Sequence, residues 1–251
     1  MTDRYSQIGI DRLIRLPWLE KVAALAVSVN SNDEIKHILQ QDLKPAFRSS
    51  RTDVRGSLDK TITILMKLWA KPPKDLVSLQ QNGLELIKYC SKNERPAVHW
   101  GMMMAVYPFW ANVAIQVGRL LALQGAASAS HVQRRLREQY GERETVSRRA
   151  RYVLRSFVDW QVINEAESSG VYTSGTFIPV QDAAIAVWLI ETSLHSHRNN
   201  SATLKDTLGS PRLFPFNLNA TKIEASVKNS DRLDIIRHGL DDTLVILKHS
   251  Q

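Results

Sequence analysis

Between positions 134 and 155 the chain carries eight arginines and no lysine, against three glutamates. The bias extends further: no lysine occurs between Lys92 and Lys205. A surface kept soluble for its own sake could use lysine equally well. The planar guanidinium is favoured where two parallel bonds must be made to a phosphate or a guanine edge. The side chains set out for such contacts are Thr145, Ser147, Arg148, Arg149, Arg151, Tyr152 and Arg155, with Arg134 and Arg135 on the segment before them. At 100° per residue Arg148, Arg151, Tyr152 and Arg155 share one helical face, and Val146, Ala150, Val153, Leu154 and Phe157 share the buried side. Arg149 falls at the edge, within reach of a flanking phosphate at best. Small hydroxyl groups among the arginines let such a helix approach a groove closely.

Two helices and a hairpin are expected to position this face. Ser130-His131-Val132-Gln133 has the spacing of a capping box, and Val132, Leu136 and Tyr140 recur every four residues after it. Gly141-Glu142-Arg143-Glu144 breaks that helix, and the hydroxyl of Thr145 is placed to cap the next. Residues 160–166 and 171–174 read as two strands around Glu167-Ser168-Ser169-Gly170. The order helix, turn, arginine-rich helix, strand, turn, strand resembles the winged helix-turn-helix superfamily over residues 107–174. The resemblance implies that residues 145–155 form the recognition helix of a DNA-binding module. Many members carry glycine where that helix passes into the wing; Gln161 stands there, where glycine would ease a left-handed exit. Glu165 and Glu167 would repel phosphates, so the wing is expected to add little, or to bind through Ser168, Ser169 and backbone amides.

Upstream the pattern is helical throughout: residues 18–29, 33–43 (capped by Asn32 or Asp33), 57–70, and 75–89 with Gly83 as a weak point. Between the second and third helices, Arg48, Arg51 and Arg55 surround a hydroxyl-rich loop that opens a helix, an arrangement suited to clamping a phosphate. Taken alone, it reads more readily as an ordinary solvated loop. Small helices, a basic loop and then an apolar helix pair leading into the winged helix resemble, over residues 18–174, the BrxA proteins of bacterial BREX phage-defence systems. That likeness implies a helical bundle preceding a DNA-binding winged helix. The expected fold is therefore mainly α: an N-terminal helical bundle (1–97), a winged helix-turn-helix with a small β-hairpin wing (98–176) and a small α/β C-terminal appendage (177–251). In the last part a helix is expected over 182–195, with Ala183, Ala186, Val187, Ile190 and Leu194 buried. Strands are expected at 223–227 and 243–247, around a helix near 231–238. This part reads as an appendage for docking partners or for dimerisation, or as a lid over the helical core.

Composition agrees with a polyanionic partner. The formal net charge is +8, divided as +5, +3 and zero over the three segments. Residues 100–118 carry no formal charge, but Pro108, Asn112 and Gln116 interrupt them. Two buried helices meeting at Tyr107-Pro108 explain the stretch better than a membrane span. Cys90, the only cysteine, sits in an apolar helical pattern and reads as buried filler, consistent with a reducing cytoplasm. His195, His197, His238 and His249 lack the spacing of a metal site, and Asp231, Asp234, Asp241 and Asp242 that of a nuclease. The expectation is a cytoplasmic, non-enzymatic protein without catalytic residues, metal or cofactor, which binds double-stranded DNA and also other defence-system proteins. The competing reading is an assembly scaffold whose winged helix holds protein partners.

Overall fold

The computed structural model describes residues 4–28, 31–47, 54–218, 220–238 and 242–248. Mainly helical, it holds among these residues eleven α-helices and eight short strands. The first four helices are α1 (Leu16–Ser28), α2 (Asn32–Leu43), α3 (Val54–Trp69) and α4 (Val77–Tyr89). Each matches a predicted helix to within a few residues. The cap of α2 is Ser31, not Asn32 or Asp33: its hydroxyl accepts from the amide of Glu34. Cys90 is only half-buried, where α4 ends.

The uncharged stretch forms α5 (Arg95–Val106) and α6 (Pro108–Gln124), with Tyr107 between them and Pro108 opening the second. Proline suits that position because the first amides of a helix have no intrahelical acceptor. Trp100 and Trp110 from this pair hold Phe157 between them, each ring centre 4.8 Å away. Trp160 and Phe216 complete the aromatic cluster. Offset and edge contacts of this kind add to the large apolar area such rings remove from water. No helix among the described residues is long and apolar enough to cross a membrane.

After α6 come β1 (Ala126–Ser128), α7 (Ala129–Tyr140), α8 (Glu144–Asp159), β2 (Ile163–Glu165) and β3 (Val171–Ser174). The strands form one antiparallel sheet in the order β1-β3-β2, with Tyr172 opposite both Ala127 and Glu165. The predicted hairpin is thus present, and a third strand covers one edge of it. Capping differs from expectation. Ser128 caps α7 by accepting from His131, which leaves Ser130 inside the first turn. α8 starts one residue before Thr145, at Glu144, with Arg143 in the cap position and no side-chain bond there.

The remainder contains β4 (Ile178–Val180), α9 (Ala183–His195), β5 (Ser201–Thr203), α10 (Leu204–Leu208), β6 (Phe216–Leu218), α11 (Ala220–Lys228), β7 (Leu233–His238) and β8 (Asp242–Leu247). Asp182 caps α9, and Ala186, Ile190 and Leu194 are buried as predicted, but Ala183 is exposed and Val187 only half-buried. Two predictions are reversed. Residues 223–227 are helical, since Ile223 and Val227 lie four apart and both face the core. Residues 231–238 contain a strand, with Leu233 and Ile235 pointing inward from β7 and Asp234 and Ile236 outward. α9 lies deep in the molecule: Trp188 is fully buried and donates its indole N–H to the carbonyl of Val98 in α5. Gly83 is an adaptation to that ring, not a weakness of α4: a Cβ there would lie 2.6 Å from Trp188 and 2.9 Å from Trp69.

Candidate nucleic-acid interface

α8 carries the candidate face. Val146, Ala150, Val153, Leu154 and Phe157 are buried, as their spacing required. Arg148, Arg151 and Arg155 are exposed, four-residue and three-residue steps apart on the opposite side. None of the three forms an ion pair with another described residue, so their guanidinium groups are available to an external anion. Arg134 and Arg135 of α7 are also exposed but converge on Glu138, at 3.9 and 3.4 Å. Arg137 is held by Glu142 at 2.8 Å. An arginine already satisfied by a carboxylate has less to gain from a phosphate.

Several predicted contacts need correction. Ser147 is buried, because the turn between the helices brings α7 over it; its hydroxyl accepts from Arg137 at 3.0 Å. Thr145 and Arg149 are half-buried, and the Arg149 Nε has no hydrogen-bond partner. Tyr152 is half-buried too and lines a cleft of about 370 Å³, whose other lining residues include Arg12, Arg15, Trp18 and Lys60. Arg48 and Arg51 lie outside the described residues. Arg55 belongs to the first turn of α3, and its side chain lies outside what is described.

The same cleft brings together groups that are far apart in the sequence. Gly56 and Ser57, near the start of α3, border it beside Tyr152 of α8. No acidic residue stands in the first turn of α3. The first amides of a helix lack intrahelical acceptors and carry partial positive charge, so this end favours an anion. Arg15 and Lys60 are exposed at the rim. The link to α8 is made by Ile14: its amide donates to the Ser156 hydroxyl at 2.9 Å, and its carbonyl accepts from the Trp160 indole at 2.9 Å. Arg15 then reaches Asp159 at 3.0 Å and stacks over Trp18. Sequence reasoning missed Arg12, Arg15 and Lys60, since nothing in residues 4–17 has a period that marks them as neighbours of α8. The only local signal was the mixture of arginines and apolar residues in that segment.

The exit from α8 has the geometry anticipated for a missing glycine. Gln161 adopts φ = 59°, in the left-handed region. The turn is closed by bonds from the amide of Gly175 to the Val162 carbonyl and from that of Thr176 to the Gln161 carbonyl. Here the chain leaving the hairpin passes so close that a Cβ on Gly175 would fall 2.3 Å from the Gln161 oxygen. At the far end the hairpin turn exposes Ser168 and Ser169, with Glu165 and Glu167 beside them. The carbonyl of Gly170 accepts from the amide of Ala129, anchoring the turn to the start of α7.

Among the described residues no three histidine, cysteine or acidic side chains are grouped as metal ligands would be. No protein-family model, curated protein or solved structure matches this chain.

Proposed function

We propose that this chain is a non-enzymatic, cytoplasmic protein that binds double-stranded DNA through a winged helix, with α8 as the recognition helix and β2–β3 as the wing. The observation that carries the reading is the set of Arg148, Arg151 and Arg155, exposed on one side of α8 with no counter-ion among the described residues. Two helices at a tight turn followed by a hairpin support it, as does the adjoining patch of Lys60 and the start of α3, beside Arg15, which Asp159 already holds. In this arrangement the arginines of α8 meet base edges and phosphates in the major groove, while the patch touches a flanking backbone. A place as accessory or regulatory factor in a prokaryotic phage-defence system, with other defence proteins as partners, rests on the architectural resemblance to BrxA proteins alone.

The test is an electrophoretic shift of a duplex by the full chain at increasing salt. Binding that neutralises several phosphates weakens by at least about tenfold between 50 and 200 mM salt. No binding at low salt, or an affinity indifferent to salt, removes the proposal and leaves a scaffold of protein partners as the better account.

A further inference from the structure

A second basic cleft, of about 610 Å³, lies away from the α8 stripe, between the beginning of α6, the end of α7 and the segments following α9 and α10. Arg143, Arg198 and Arg212 line it, together with His197, Ser196 and Tyr140. None of its described lining residues is acidic.

Arg212 is the group that calls for a partner. Burial draws its pKa down to about 10; Tyr140 opposes this in part, and the nearby Arg119 adds to it. One of its N–H groups donates to the Ser196 hydroxyl at 2.8 Å, but no described carboxylate pairs with it. Arg212 is half-buried, and drawing a guanidinium even partly out of water without a counter-charge is unfavourable. His197 adds no charge at neutral pH, because burial and then Arg212 lower its pKa to about 4. Arg143 enters from the turn before α8, steadied by a bond to the Tyr140 carbonyl at 3.0 Å.

The larger cavity of about 1350 Å³ makes a weaker case. Lys36, Lys67 and Lys71 border it, but so do Asp33, Asp75, Glu191 and Asp231. Arg4 is taken up by Asp75 and Arg232 by Glu191.

We propose that the cleft around Arg212 binds the phosphate group of a small phosphorylated molecule, with Arg212 and Arg143 making the charged contacts and Ser196 orienting Arg212. Its volume suits a ligand of that size, and guanidinium groups suit the tetrahedral dianion.

The test is calorimetric titration of the full chain with sodium pyrophosphate, at an ionic strength held constant with sodium chloride. Saturable binding is expected, weakened at least about tenfold by Arg212→Met and, separately, by Arg143→Gln. Arg143 is exposed, so its replacement keeps the test valid even where Arg212→Met fails to fold. Repeating the titration with a bound duplex separates the two sources of phosphate. Unchanged pyrophosphate affinity supports a small-molecule site, whereas displacement by the duplex assigns the cleft to DNA backbone and overturns the proposal. No saturable heat at millimolar pyrophosphate, or full affinity in both variants, overturns it as well.

Discussion

Trp160 donates its indole N–H to the carbonyl of Ile14 at 2.9 Å, across 146 positions of sequence. Both groups are buried, so the bond is made at little competition from water, and losing either partner would strand the other. It fixes the segment bearing Arg12 and Arg15 against the end of α8. The basic face of α8 and the patch beside it therefore move as one surface.

Reversal of two arginines tests that surface. Arg148→Glu/Arg151→Glu is expected to leave the melting temperature nearly unchanged, because neither side chain makes an internal ion pair. Duplex affinity should fall by about 1–3 kcal/mol for each arginine that reads a base. Lys60→Ala should weaken all duplexes alike, lowering the salt slope by about one, whereas Arg15→Ala should lower it by less, because Asp159 already holds that guanidinium. The comparison is Arg237→Glu, exposed on the edge strand β7, which should matter much less. Equal losses at Arg237 would mean that net charge alone governs binding.

Arg232 is unsuitable as a control, although sequence alone would place it in a tail of zero net charge. Its Nε lies 2.8 and 2.9 Å from the two oxygens of Glu191, which is 2% exposed, and it also donates to Ser78. Arg232→Met strands a buried carboxylate and should cost about 3–5 kcal/mol in urea unfolding. Adding Glu191→Gln should restore much of that loss. Retained stability in the single variant would show that water replaces the arginine.

The turn after α8 allows opposite outcomes from two small changes. Gln161→Gly relieves a left-handed residue and should stabilise the fold by about 0.5–1 kcal/mol, the relief exceeding glycine's entropy cost. Gly175→Ala forces a methyl group against the Gln161 carbonyl and should cost about 1–3 kcal/mol. Urea denaturation of both variants decides it, and a neutral Gly175→Ala would contradict the close approach.

Acid stability carries the mark of His197. Its pKa is about 4 in the fold, against an ordinary 6.5, chiefly through burial. The unfolded chain thus binds the proton more readily, and stability is lost as pH falls from about 6.5 to about 4. The buried His99, also lowered by burial, adds a loss of the same sign. In phosphate-free buffer, His197→Gln should show a shallower fall in urea midpoint over that window while keeping the part due to His99. Parallel curves for the two proteins would remove His197 as a cause.

Most helices of the first 160 residues were legible because each buries a stripe at a period of 3.6, with Pro17, Pro45 and Pro72 marking boundaries; α5 and the start of α6 are buried on all sides and were marked instead by their lack of charge and by Pro108. The arginine face of α8 was legible for the same reason. What failed was short-range: the hydroxyls of Ser128 and Ser130 compete for one cap, and only the backbone angle decides between them. The exchange of helix and strand at 223–238 arose from segments of nine and six residues, too short for either period to dominate. The patch at Arg15 and Lys60 was invisible because a tertiary contact at Ile14 creates it.

The burial of α9 also bears on how the molecule is made. Trp188 fills a space bounded by Gly83 and the Val98 carbonyl, residues synthesised about a hundred positions earlier. A ribosome adding roughly 5–20 residues per second leaves that space open for several seconds. During this interval α3, α4 and α5 leave an uncovered apolar wall, with Trp69 in it, at which a nascent chain is open to chaperones and to mispairing. Shortening the chain before residue 183 would make that transient exposure permanent.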